Sequence, residues 1–219
     1  MMMKFKLKRD IFSLVVLAAA SIFILWIYSG LPDQIPINWG MSGEVDGYMS
    51  KPLGAFWGIL AGIGIYLFFY LQLVIDPLRE NYERFEDKYW LIRDLMVVLF
   101  VGTNLYGIFW ALDYIREPSI IIALISILFI VLGNYMPTFK RNWFLGIKTP
   151  WTLSSEESWN KTHRLGGKLF IATGLIGLAE ALFLSGNRLF GGAAIVTAVV
   201  SFGYSYLIYR REVSLGRKH

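Results

Sequence analysis

The chain has 219 residues, of which 56% are hydrophobic and only 17% charged, with a formal net charge of +5 and no cysteine. Soluble domains average about 45–50% apolar and about 25% charged residues, so this composition excludes a disordered chain, a nucleic-acid-binding tail and an ordinary soluble enzyme. Without cysteine there are no disulfides, thiolate metal sites or cysteine nucleophiles.

The apolar residues come in blocks. Crossing a ~30 Å hydrocarbon core takes about 20 mostly apolar residues as a helix. Residues 11–30, 53–75 and 95–112 carry no charge. Residues 120–135 are shorter and framed by Pro118 and Pro137, 169–187 contain one acid, Glu180, and 189–209 are again uncharged. Period-2 alternation of the barrel kind is absent, and a backbone in lipid must satisfy its own hydrogen bonds, so the blocks predict six transmembrane helices. The fold class is all-α, a polytopic membrane protein of one domain over 1–219. Ala18, Ala19, Ala20 and Ser21 after a basic start look like a secretory signal, but the apolar run continues through Ile27, so the block is expected to remain as a span.

Lys and Arg set the expected orientation, because short loops rich in them stay in the cytoplasm. Lys4, Lys6, Lys8 and Arg9 precede the first block, and Arg79, Arg84, Lys88 and Arg93 follow the second. Lys140, Arg141, Lys148, Lys161, Arg164 and Lys168 follow the fourth, and Arg210, Arg211, Arg217 and Lys218 follow the last. The alternate segments hold only Lys51, Arg116 and Arg188. Both termini are therefore expected in the cytoplasm, and the basic charge requires no nucleic-acid partner.

The expected external loop, 31–52, is dense in turn residues: Pro32, Pro36, Gly40, Gly43, Gly47 and Pro52. It reads either as a compact connector anchored at the headgroups by Trp39 and Tyr48 or as a preformed binding loop. In the second reading Asp33, Glu44 and Asp46 supply charge and the aromatics supply contact area. A hard cation such as calcium is a weaker option, since the carboxylate spacing matches no known loop.

The second loop, 76–94, carries charges of both signs and reads as a solvated helix leading into the third span. In the expected cytoplasmic loop, 138–168, Ser154 and Glu157 have capping-box spacing. They predict a short helix over 155–165 that ends at Gly166–Gly167. Trp143, Trp151 and Trp159 among basic residues suit either an interfacial segment or a docking surface. His163 has no second internal histidine, which makes a poor metal site, so a structural hydrogen bond is expected.

Glu180 falls at membrane depth, where a charge costs at least about 2.5–3.5 kcal/mol, so it must be neutral, paired or wetted. Asn104 with Thr103 is its expected partner at similar depth. Gly54, Gly58 and Gly62 form two small-xxx-small steps, expected to serve packing within the chain. No G-x-S-x-G, H-E-x-x-H, P-loop or dinucleotide motif occurs, and no activated nucleophile faces an oriented base. No enzyme, cofactor or metal is expected.

Two stretches together resemble the SdpI family of bacterial membrane proteins. The first is Leu31-Pro32-Asp33, Ile35-Pro36, Trp39, Gly43 and Asp46-Gly47-Tyr48. The second is Gly133-Asn134, Met136-Pro137, Asn142, Phe144-Leu145-Gly146-Ile147, Thr149-Pro150-Trp151-Thr152-Leu153, Trp159 and Thr162-His163. The resemblance covers roughly residues 10–209, with Asn38 standing where the family often has histidine. It implies immunity to a secreted peptide toxin and signalling, in which a small DNA-binding autorepressor is held at the bacterial cell membrane. An outward contact surface is then expected at Asp33, Asn38, Trp39, Glu44, Asp46, Gly47 and Tyr48. Inward docking is expected at Lys148, Thr149, Pro150, Trp151, Ser154, Glu157, Trp159, His163 and Arg164. The rival reading is a small proton- or cation-coupled transporter using Glu180.

Overall fold

A computed structural model of the chain describes residues 7–40, 44–184 and 188–216. Of the residues singled out above, Lys4, Lys6, Gly43, Arg217 and Lys218 lie outside them. In order the elements are α1 (Leu7–Ile27), β1 (Gln34–Trp39), β2 (Val45–Ser50), α2 (Lys51–Ile75), α3 (Glu86–Ala111), α4 (Ser119–Tyr135), α5 (Pro150–Ser154), α6 (Glu156–Phe183) and α7 (Arg188–Ser214). Six of these helices are long and apolar enough to span a membrane, and the protein is a multi-pass membrane protein. Large apolar side chains such as Trp26 and Phe183 point outward, 78% and 81% exposed, as a lipid-facing surface requires.

The helices form two half-bundles. Helices α1, α2 and α3 pack together and carry the β1–β2 hairpin, while α4, α6 and α7 pack together and carry α5. Helices α3 and α4 touch, and a second join lies at the end away from the hairpin. There Phe69, Tyr82, Phe85, Tyr89 and Trp90 of the first half share a core with Met136, Phe139 and Trp159 of the second. A separate core of Leu17, Ile24, Ile35, Ala55, Val97 and Ile108 lies within the first half.

Close helix approach is set by glycine. A Cβ on Gly58 of α2 would collide with Asn104 and the Phe100 carbonyl of α3, and one on Gly167 of α6 would collide with the Gly133 carbonyl of α4. The glycine steps of the second span therefore serve contacts within the chain, as expected.

Three local expectations need correction. Helix α3 starts at Glu86 and its approach is no solvated helix: a 3-10 stretch, Arg79–Phe85, turns Tyr82 and Phe85 into the core. Helix α6 begins at Glu156 and continues unbroken through Gly166–Gly167, where the close contact with α4 outweighs the roughly 1 kcal/mol helix cost of each glycine. The cap of α6 is Ser155, whose hydroxyl accepts from the Ser158 N–H, and not Ser154. The reciprocal capping box belongs to α5, between Thr149 and Thr152.

Candidate functional site

Two sets of sequence-selected residues sit at opposite ends of the bundle. At the first end, residues 34–39 and 45–50 pair antiparallel, with the register shifting around Asn38. Ile35 is fully buried beneath this hairpin, and a Cβ on Gly107 of α3 would strike the Pro36 carbonyl. Trp39 packs against Tyr106 and Trp110 of α3, at centroid distances of 4.9 and 5.9 Å. Lys51 donates to the Leu31 carbonyl (2.9 Å) and lies over the Tyr28 ring. The hairpin is thus seated on the ends of α2 and α3.

Its outward face is polar. Asp33, Asn38, Glu44, Asp46 and Tyr48 are exposed, and the Asn38 amide donates to Asp46 at 2.8 Å. Gly47 lies so close to Asn38 that a side chain there would push the strands apart. Trp39 departs from the expected outward set, because its ring is largely covered by α3. Among the described residues its indole N–H is buried without a hydrogen-bond partner. No group of three or more His, Cys, Asp or Glu side chains among the described residues has metal-holding geometry.

At the other end the 138–168 segment folds around two polar anchors. The Asn142 amide donates to the carbonyls of Lys140 and Leu145, and its oxygen accepts from the N–H groups of Phe144 and Leu145. Tyr82 donates to Asp76 at 2.7 Å, and Asp76 also accepts the Trp143 N–H at 2.9 Å. Asp76 and Asn142 are both buried, so this link ties the first half-bundle to the second.

The second anchor is His163. Its Nε2 accepts from the Ile147 N–H at 3.0 Å, so Nδ1 carries the proton and donates to the Trp159 carbonyl at 2.8 Å. The ring is neutral, fully buried and stacked on Trp159 at 4.0 Å. Trp159 is itself fully buried, with its indole N–H on the Phe139 carbonyl. These two expected docking residues therefore face inward and present nothing to a partner, because their polar atoms are consumed in folding the loop. Thr149 is likewise buried, and Trp151 is half-covered by Phe202 and Tyr206. Lys148, Pro150, Ser154 and Arg164 remain exposed, with Glu157 partly so.

The two intramembrane polar residues do not meet. Asn104 on α3 donates to the Gly54 carbonyl (2.9 Å) and accepts from the Gly58 N–H (3.2 Å). It brackets one turn of α2. Glu180, in the other half-bundle, accepts from the N–H groups of Leu189 and Phe190 at 3.0 and 2.8 Å. It caps the first turn of α7, where unpaired N–H groups and the helix dipole favour a carboxylate. Thr103 bonds the carbonyls of its own helix.

One cluster escaped the sequence reading. Arg93, fully buried, pairs with Asp10 and Asp94. Arg9 reaches Glu86 and Tyr70, Tyr70 donates to Asp10, and Ser13 donates to Asp94 at 2.6 Å. The network joins the starts of α1 and α3. Its signal was an acid and a base each just outside an apolar block, which a hydropathy boundary cuts away.

Comparison with known proteins follows the same division into halves. The pattern of the SdpI/YfhL protein family matches residues 138–207, and that of a domain of unknown function, DUF1648, matches residues 15–71. The chain is 29% identical over 182 residues to the Immunity protein SdpI of Bacillus subtilis (strain 168), covering 83% of this chain and 84% of that protein. The resemblance to the SdpI family read from the motifs is confirmed by these matches. No solved structure matches the chain.

Proposed function

We propose that the chain is an SdpI-type immunity protein of a bacterial cytoplasmic membrane, with the hairpin outside and both termini and the 138–168 segment in the cytoplasm. The basic residues concentrated at the termini and in segments 76–94 and 138–168 support this sidedness. The hairpin carries the reading: it is fixed on α2 and α3 by Ile35 and Trp39, yet turns Asp33, Glu44, Asp46 and Tyr48 to solvent. A preformed acidic surface with an exposed aromatic suits a cationic, amphipathic peptide toxin, which it would steer by charge and hold by area.

In its finer form the reading adds signalling. Toxin at the hairpin favours one arrangement of the two half-bundles, and the exposed rim of Lys148, Pro150, Ser154 and Arg164 then holds a small DNA-binding repressor at the membrane. Such coupling requires two states with different affinity for both partners. The Asp76–Tyr82–Asn142 link and the α3–α4 contact are where the halves would shift.

Protection is tested by expressing the chain in a toxin-sensitive bacterium and challenging with the peptide toxin. Wild type is expected to restore growth, and the double change Asp46→Ala, Tyr48→Ala to lose it at equal membrane abundance. Growth unchanged by the double change refutes the hairpin as the contact surface. Because the chain lacks cysteine, Tyr48→Cys and Lys148→Cys report sidedness directly. A membrane-impermeant maleimide should label Tyr48→Cys in intact cells and Lys148→Cys only after lysis; the reverse pattern overturns the scheme.

A further inference from the structure

A concave site of about 550 Å³ lies outside the hairpin and the α5 rim, between the segment that follows α4 and the first turns of α6. Pro137, Lys140, Glu157, Asn160, Lys161 and Arg164 line it. Lys161 is paired with Glu157 along α6, which leaves the two remaining cations uncompensated. Among the described residues neither Lys140 nor Arg164 has an ion pair or a side-chain hydrogen bond. The Asn160 amide adds a neutral donor beside them. Two unspent positive charges and amide N–H groups in one recess form a receptor for an oxyanion.

The place of the recess in the fold selects the anion. On α6 the exposed residues Asn160, Arg164 and Lys168 follow one another at four-residue spacing on one face. That face then turns apolar, with Leu175 54% exposed. The change takes about 10 Å, at ~1.5 Å per residue from Lys168 to Leu175. The recess thus stands at the depth where headgroups meet acyl chains, and the apolar face beside it continues along the tails. A soluble phosphate compound would make no use of that continuation. Basic pockets between spanning helices at such depth take lipid headgroups.

We propose that this recess binds the phosphodiester headgroup of an anionic phospholipid, with Lys140 and Arg164 as its charged contacts and Asn160 as a neutral donor. The site is separate from the acidic hairpin and shares Arg164, but not Lys148, Pro150 or Ser154, with the docking rim, and it would fasten the Pro137–Lys140 segment against α6.

The test uses the full chain purified in detergent with added phosphatidylglycerol or phosphatidylcholine, followed by native mass spectrometry. Wild type is expected to retain phosphatidylglycerol in preference to phosphatidylcholine. The double change Lys140→Gln, Arg164→Gln should lower that retention about tenfold, and Lys140→Arg, Arg164→Lys should keep it. The change Lys148→Gln, outside the lining of the recess, serves as a charge control and should also keep it. Millimolar inorganic phosphate should fail to displace the lipid. Equal retention of both lipids by wild type, or equal loss in Lys148→Gln and the double variant, overturns the proposal. Displacement by phosphate alone makes the recess a general anion site and overturns the choice of lipid. Size-exclusion profiles matching wild type establish that each variant is folded.

Discussion

Arg93 and Asp10 stand 83 positions apart in sequence and form an ion pair in which both side chains are fully buried. Two charges withdrawn from water cost several kcal/mol each, and the pair holds only because further hydrogen bonds complete it. Arg93 also reaches Asp94 and the Arg9 carbonyl, while Asp10 also accepts from Tyr70. Removing one partner strands the other. Arg93→Ala or Asp10→Ala alone is expected to destabilise by about 3–5 kcal/mol. Thermal unfolding in detergent, followed by the loss of monodisperse protein, measures it. The double change Asp10→Asn, Arg93→Gln removes both charges of the buried pair and leaves only the partly exposed Asp94, still bonded to Ser13, without its cation, so it should cost less than either alanine variant.

Glu180 gives a prediction that separates a helix cap from a transport residue. Both carboxylate oxygens are occupied by the first N–H groups of α7, and the side chain is 3% exposed. Glutamine keeps one acceptor and loses the charge that opposes the helix dipole, a loss of about 0.3–2 kcal/mol. Glu180→Gln should therefore lower the melting temperature slightly and leave the proton permeability of protein-containing vesicles unchanged. A fall in pH-driven flux specific to Glu180→Gln would instead make it a coupling acid.

The spans were legible because lipid demands long uncharged blocks, and the six blocks lie within or beside six observed helices. Their ends were not. Arg93 and Glu86 belong to α3 although hydropathy excludes them, since each charge is compensated by α1 rather than by water. The hairpin escaped because Gln34–Trp39 alternates weakly and contains Pro36, which pairing tolerates at this two-stranded edge. At the candidate site, the sequence names residue types but not the directions in which they point. Trp159 and His163 look adhesive in sequence, but no local pattern shows that Phe139 and Ile147 return to take their polar atoms. Glu180 and Asn104 share a depth estimate, yet a depth cannot say that they belong to different half-bundles.

His163 and Gly146 act together. Gly146 has φ +107°, a conformation that a side chain strains, and a Cβ there would collide with His163 Nε2. Gly146→Ala should therefore cost about 1–3 kcal/mol. His163→Phe keeps the stack on Trp159 but leaves the Ile147 N–H unpaired, at about 1–3 kcal/mol. Nitrogen NMR of the labelled wild type should show one neutral tautomer with the proton on Nδ1. A mixed or doubly protonated ring at neutral pH would contradict the loop geometry.

The hairpin permits a separation of anchoring from contact. Its underside depends on close approach: Gly107 leaves room for the Pro36 carbonyl, and Trp39 fills the space beside Tyr106 and Trp110. Gly107→Leu should lift the strands off α3, and Trp39→Ala should remove an aromatic anchor at about 3–5 kcal/mol if its buried area is fully lost. Both should increase hydrogen exchange across residues 34–50. Asp46→Ala and Tyr48→Ala lie on the solvent side, where the first gives up only the exposed Asn38–Asp46 bond, so neither should change exchange in α2 or α3. If protection from toxin resides in the outward face, the outer changes abolish it at full stability, whereas the underside changes abolish it together with the order of the hairpin. Protection that survives Gly107→Leu despite loosened strands would place the contact surface elsewhere.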